Sequence, residues 1–233
     1  MGRQSVTAMY IVKNEETFLP YSIRSIYDAV DEIIVVDNGS TDHTAEIARS
    51  FRKAKVIPCD AYGDFAMLRN VALDHAQGEW VMKLDADEVF YPDLASRMEV
   101  LTQAPGVDAY TCWFYHLIPD YWHMQNTSDH DALYHRVFLI RKHNGLRWKN
   151  PVHESLEGIG GSIHDSGLHY VHYGYTKGVH QVAEKFSFYA RLEGIPDPME
   201  HISPEDIFNG RIIHPFRKPH PPVIQAFVDR AKH

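Results

Sequence analysis

The feature that most constrains this chain is a repeated alternation across residues 6–90, in which short apolar runs suited to a strand are each followed by helical spacing. "VTAMYIV" (6–12) reads as a buried strand, and Leu19, Ile23, Ile26 and Val30 then recur at spacings of four, three and four. Pro20 is tolerated only in a helix's first turn, so this helix is expected to begin near Thr17. "EIIVVD" (32–37) is the second strand, closed by the turn-and-cap run "NGSTD", and a short helix then turns Ile47 and Phe51 inward. "AKVIP" (54–58) is the third strand. "DFAMLRNVALDHAQG" puts Phe65, Leu68, Ala72 and Ala76 on one face, with Gly78 where a helix C-cap would fall. A fourth strand follows over 79–84. A β-α-β-α-β-α-β order specifies a parallel sheet with helices on both faces, an α/β fold.

Ligands of such sheets bind beyond the carboxyl ends of the strands. Strands one, two and four end in "KNEE", "DNGSTD" and "DADE", so three polar clusters fall on one rim. The last is the most demanding, because "GEWVMKLDADEVF" (78–90) ends a buried strand in Asp85, Asp87 and Glu88. That much negative charge calls for a cation there, either a metal ion or a basic side chain. Three readings fit. Asp87 or Glu88 could serve the N-terminus of a helix expected after Pro92. The acids could hold Mg²⁺ or Mn²⁺, which favour carboxylate oxygen and, for Mg²⁺, take one or two protein carboxylates together with substrate phosphates. "DADEV" also resembles the opening motif of haloacid-dehalogenase-like phosphatases, with Asp85 as nucleophile, although that motif normally ends a first strand.

After residue 104, "AYTCWFYHL", "YHRVFLIRK" and "SGLHYVHYGY" suggest mixed or antiparallel strands that complete the sheet. "VHQVAEKFSFYARLEG" (179–194) is expected to be a helix with Val179, Ala183, Phe186 and Ala190 inward, and the Pro- and His-rich remainder an irregular wrap. The aromatic run at 113–124 suits either stacking on an acceptor sugar or core packing. With no repeat and no low-complexity linker, the organisation is read as 1–180 (a nucleotide-binding half, 1–104, and an acceptor half, 105–180) with 181–233 packed on it.

Several function classes are disfavoured. A net charge of −8 argues against non-specific nucleic-acid binding. Cys59 and Cys112 form no CxxC or zinc spacing, the N-terminus reaches Lys13 too early for a signal sequence, and no run approaches the length of a membrane span. A cytoplasmic protein, at most peripheral at a membrane, is expected. There is no P-loop or dinucleotide fingerprint, and "HESLE" (153–157) is not the HExxH of a zinc protease. His169 and His172, three apart in a strand, point to opposite faces.

Taken together, "IVKNEE", "VVDNGSTDHT", "FAMLRNVALDHAQGEWVMKLDADE" and "RWKNPVHESL" with "HYVHYGY" resemble the family 2 glycosyltransferases of GT-A (Rossmann-like) fold, over about residues 5–180. The likeness is greatest to the branch that includes lipopolysaccharide-core glucosyltransferases and peptide S-glycosyltransferases. The resemblance implies an inverting transfer from a nucleotide-sugar, usually a UDP-sugar, with Mn²⁺ or Mg²⁺ at the Asp-x-Asp. By that resemblance Val12, Asn14, Glu16 and Asp37 line the nucleoside pocket, and Arg69 approaches the uracil or the diphosphate, or else pairs with a rim acid. Asp85 faces the ribose or the metal, and Asp87 is the principal metal ligand. Glu154 is the candidate base, with orienting His153 or pairing with Arg147 as its alternative. His172 is a third metal ligand or a diphosphate contact, or else a satisfied interior histidine. The acceptor stays open among a saccharide, a lipid-linked glycan, a peptide and a modified nucleic acid. Branch members often continue into a helical-repeat domain, so an acceptor module reduced to the tail or supplied by a partner is expected. A non-catalytic nucleotide-sugar binding module is the remaining alternative.

Overall fold

The computed structural model describes residues 4–125 and 133–232, so the ends of the expected ranges and residues 126–132 of the expected acceptor half lie outside the described residues. The first half is the expected alternation: β1 (Val6–Val12), α1 (Leu19–Ile26), β2 (Glu32–Asp37), α2 (Thr44–Arg49), β3 (Ala54–Pro58), α3 (Phe65–His75) and β4 (Trp80–Leu84). β1 pairs in parallel with both β2 and β4, and β2 with β3, giving the order β3-β2-β1-β4. β1 is central, and Val6, Ala8, Met9 and Tyr10 are fully buried there.

Local chemistry sets the boundaries. α1 begins at Leu19 rather than near Thr17, because Pro20 sits in the first turn where a missing N–H costs nothing. α2 buries Thr44 and Ala48 and leaves Ile47 half-buried, while Phe51, beyond the helix, packs on Tyr27. α3 starts on Asp64, whose carboxylate accepts from Met67 N at 2.8 Å. Gly78 is not its C-cap: α3 ends at His75 and Ala76 is extended. Gly78 lies against β1, where a Cβ would come within 2.7 Å of Thr7 N, so close approach of backbones excludes a side chain.

The second half completes the sheet with mixed pairing, as the sequence indicates. It runs β5 (Glu88–Phe90), α4 (Asp93–Gln103), β6 (Val107–Leu117), β7 (His123–Gln125), β8 (Tyr134–Arg141), β9 (Arg147–Lys149), β10 (Ser155–Glu157), β11 (Ser162–His172), α5 (Val179–Glu193), β12 (His214–Pro215) and α6 (Pro222–Arg230). β8 joins β4 antiparallel, β6 joins β8 antiparallel, β11 lies parallel to β6, and β5 returns antiparallel on β11. β9 and β10 form a separate hairpin. α5 buries Val182, Ala183 and Ala190, with Val179 and Phe186 half-buried. The tail is more ordered than expected. Pro222 opens α6, and Ile224 and Val228, four apart, pack with Phe18 and Tyr173. Among the described residues no helix is long and apolar enough to cross a membrane.

Candidate active site

The three acids after β4 meet three different fates. Asp85 stands between two guanidinium groups, with Arg136 Nη1 at 3.1 Å from Oδ2 and Arg69 Nη2 on Oδ1. Burial raises its carboxyl pKa, but Arg69, Arg136 and Lys83 hold it well below the usual carboxylate range. Glu88 is 1% exposed, pairs with Arg136 and accepts Asp85 N at 3.0 Å. Burial pushes its carboxyl up, and Arg136 opposes that. Neither Asp87 nor Glu88 serves the next helix, because β5 intervenes and the acid in the first turn of α4 is Asp93.

Asp87 is different. It is 6% exposed, its carbonyl accepts Tyr173 N at 2.9 Å, and its Oδ1 is buried without a hydrogen bond. His172 Nε2 lies 3.4 Å from that oxygen. Burial raises the Asp87 carboxyl, and His172, Lys177 and Lys185 reverse that and hold it far below its usual value. At Gly174 a Cβ would meet Asp87 Oδ2 at 2.5 Å and His172 Nε2 at 2.7 Å, so only glycine leaves this cradle open. Two ligand atoms each about 2.1 Å from one ion stand about 3 Å apart when adjacent in the coordination sphere, close to the spacing here. An orphaned carboxylate oxygen, an imidazole nitrogen and a cradle free of Cβ fit a divalent cation. Among the described residues no group of three or more His, Cys, Asp or Glu side chains could hold a metal. Asp85, expected to face the ribose or the metal, has both oxygens paired with guanidinium groups.

Basic groups face this pair. Lys177 bonds Glu15 at 2.6 and 2.7 Å, and Lys185 lies 4.9 Å from the Tyr175 ring centroid. Burial, then Asp87, push the Glu15 carboxyl up to about 7. Of the two acids of "KNEE", Glu15 is the one that lies against Lys177 and Asp87. Glu16 is exposed and braces the rim, accepting His43 N at 3.0 Å. Asn14, at φ +55, does similar work: its Oδ1 accepts Thr41 N at 2.8 Å and its N donates to Ser40 Oγ at 3.0 Å. Val12 is buried and contributes its carbonyl, which accepts Asn38 N at 2.9 Å. Asp37 is half-buried and accepts Ser40 N at 3.0 Å. The ends of β1 and β2 are therefore tied into one polar wall beside the acids.

Arg69 takes the internal pairing that the sequence left open. It is 2% exposed, donates to Leu84 O at 2.9 Å and to Glu154 Oε1 at 3.3 Å, and pairs with Asp85. Lys83 Nζ lies 3.5 Å from the same Glu154 oxygen, and burial, Arg69 and Arg136 push its ammonium pKa down. Glu154 is therefore joined to the acid cluster. Its two alternative partners lie elsewhere: His153 pairs with Glu193 at 2.8 Å and Arg147 with Asp74 at 2.9 Å. Both Asp85 oxygens are thus paired with arginines. His169 and His172 do face opposite ways, His169 stacking on Tyr115 beside a cleft of about 230 Å³. Another cleft of about 450 Å³ lies between α3 and β9, and neither is at the acid rim.

Sequence reasoning did not find Glu15, Lys83, His116, Arg136, Lys177 or Lys185. Glu15 adjoins Glu16, and Lys177 follows "YGY" closely. Lys83 lies only two residues before Asp85, whereas His116, Arg136 and Lys185 reach the site from strands or helices far away in sequence, with no local signal.

The glycosyl transferase family 2 model matches residues 8–159. A TPR repeat-containing protein of Synechococcus elongatus is 31% identical over 153 residues, 65% of this chain and 35% of that protein. The SPbeta prophage-derived glycosyltransferase SunS of Bacillus subtilis is 32% identical over 87 residues, 37% of this chain and 21% of that one. The chain thus spans about a third or less of the length of these relatives. The mannosyltransferase PcManGT of Pyrobaculum calidifontis, solved in complex with GDP-Man and Mn²⁺, superposes with a TM-score of 0.54 at 16% identity, covering 98% of this chain and 69% of that one, and shares the fold. With a family model matched over more than half of its residues, and a mixed sheet whose parallel core carries the acids at its carboxyl rim, the chain belongs to the family 2 glycosyltransferases of GT-A fold.

Proposed function

We propose that the protein transfers a sugar from a nucleotide-sugar, a UDP-sugar, to an acceptor hydroxyl or thiol, with inversion at the anomeric carbon. The observation that carries this reading is Asp87, buried with an unbonded oxygen against His172 and faced by Lys177 and Lys185. The wall of Val12, Asn14, Glu16 and Asp37 receives the nucleoside, with Asp37 its half-buried acid. Asp85 faces the ribose while fixing Arg69 and Arg136. Arg69 acts by holding Asp85 and Glu154 in place rather than by touching the donor.

Asp87 and His172 would hold Mn²⁺ or Mg²⁺, which neutralises charge on a departing diphosphate when bound. Lys177 and Lys185 place further positive charge where the diphosphate lies. Glu154 receives the acceptor's proton as the new bond to the anomeric carbon forms and the bond to the diphosphate oxygen breaks. Held at 3.3 Å from Arg69 Nε and 3.5 Å from Lys83 Nζ, its carboxylate keeps a fixed orientation.

A thermal-shift panel of UDP-, GDP- and CDP-sugars, each with and without Mn²⁺, tests the reading. Stabilisation by one nucleotide class that depends on metal is expected. No stabilisation by any nucleotide-sugar, with or without metal, would remove the donor assignment.

A further inference from the structure

His116 has no part in the reading above, yet it is tied to His172. β6 and β11 run parallel with His116 and His172 as direct register partners, which places both side chains on one face of the sheet. Their Nδ1 atoms stand 2.7 Å apart, and the rings are nearly parallel, at 10°. Phe114, Tyr134 and Tyr175 surround His116 edge-on, at ring separations of 6.2, 5.5 and 5.0 Å, so its orientation is fixed by packing. A hydrogen bond between two Nδ1 atoms needs a proton on one and a lone pair on the other. The far nitrogen of His172, Nε2, faces the unbonded Asp87 Oδ1 at 3.4 Å. A nitrogen that ligates a metal must be free of hydrogen, and the neutral ring's single proton then sits on the other nitrogen.

We propose that His116 is a positioning residue that, when a divalent cation occupies the space beside Asp87, accepts a hydrogen bond from His172 Nδ1–H and so leaves His172 Nε2 as a bare lone pair for that cation. This rests on the reading of His172 as a ligand of the divalent cation. His116 itself carries its proton on Nε2. With a cation on His172 Nε2 it fixes the tautomer of His172, and the packing around His116 holds the ring plane. Sequence spacing could not reveal the pair, because 56 residues separate the two histidines and only the parallel strand pairing brings them together.

The test uses the whole chain with Mn²⁺ titrated in the presence of UDP and followed by electron paramagnetic resonance, for wild type, His172→Ala, His116→Phe and His116→Asn. Phe keeps an aromatic ring in the cage without the acceptor, and Asn restores an acceptor near the Nδ1 position. His116→Phe is expected to weaken Mn²⁺ binding about 10- to 100-fold, as loss of an outer partner of a metal-bound histidine does, with His116→Asn near wild type. If His172→Ala binds Mn²⁺ as tightly as wild type, the ligand reading of His172 fails and takes this proposal with it. If His172→Ala is weakened but His116→Phe is not, the proposal alone fails. A second readout needs no variant: ¹⁵N shifts of the wild-type protein with Mg²⁺ and UDP should show His172 protonated on Nδ1 and bare on Nε2, and a proton on Nε2 in that state would overturn the assignment.

Discussion

Arg136→Met isolates the charge balance beneath the acid rim. Arg136 serves two carboxylates, but Asp85 keeps Arg69, so Glu88, at 1% exposure, is the acid left without a counter-charge. Removing one partner of a buried pair costs about 3–5 kcal/mol because the other charge stays behind. With about 2.1 cal/mol/K of unfolding entropy per residue, 233 residues give about 490 cal/mol/K, so the midpoint should fall by about 6–10 °C. Burial already pushes the Glu88 carboxyl up in the wild type, and without Arg136 it rises further. An acid whose folded pKa is raised contributes its stability below the unfolded pKa and loses it as pH rises through the folded value. The deficit of the variant should therefore shrink as pH is lowered toward 5. Scanning calorimetry across pH, on Arg136→Met and on Arg136→Met combined with Glu88→Gln, measures all of this. The double variant should regain most of the loss, since a buried pair replaced by neutral groups is often nearly neutral in stability. A midpoint drop under about 2 °C, or a double variant no better than the single one, would refute the reasoning.

Two further predictions concern the site itself. Glu15, pushed up to about 7 against an ordinary 4.5, contributes stability that is complete below the ordinary value and lost as pH climbs through 7, so melting temperature should decline from about pH 5 to 8. Glu15→Gln should flatten that decline, and an unchanged slope would mean that Lys177 neutralises Glu15 more fully than burial disfavours its charge. Gly174→Ala drives a methyl group between Asp87 and His172, and displacement on the ångström scale should cut turnover about 10²-fold, checked by donor consumption beside a melting curve. Wild-type turnover in a folded Gly174→Ala variant would show that the cradle is not used.

The parallel half was legible because each strand is an apolar run and each helix keeps a 3.6-residue face, so element order alone specified the sheet and its ligand rim. Sequence alone does not separate cases in which one residue type has two physical uses. Gly78 suits a helix cap equally well, yet it is required by contact with Thr7. Glu15 and Glu16 are indistinguishable in a polar loop, but one turns toward Lys177 and the other toward His43 N. In "DADE" the sequence showed that a cation was needed and could not divide the roles. Arg69 and Arg136 hold Asp85 and Glu88 from 16 and 48 residues away, and only Asp87 is left to face His172. α6 was hidden by the prolines that open it.

The most direct test of the central claim is nucleotide release from the donor identified by the panel, measured with Mn²⁺, with EDTA, and with Asp87→Ala in Mn²⁺. Asp87 carries the unbonded buried oxygen, so turnover should require the metal and vanish in Asp87→Ala while the fold, by circular dichroism, stays intact. Full turnover in EDTA, or in folded Asp87→Ala, would contradict the account.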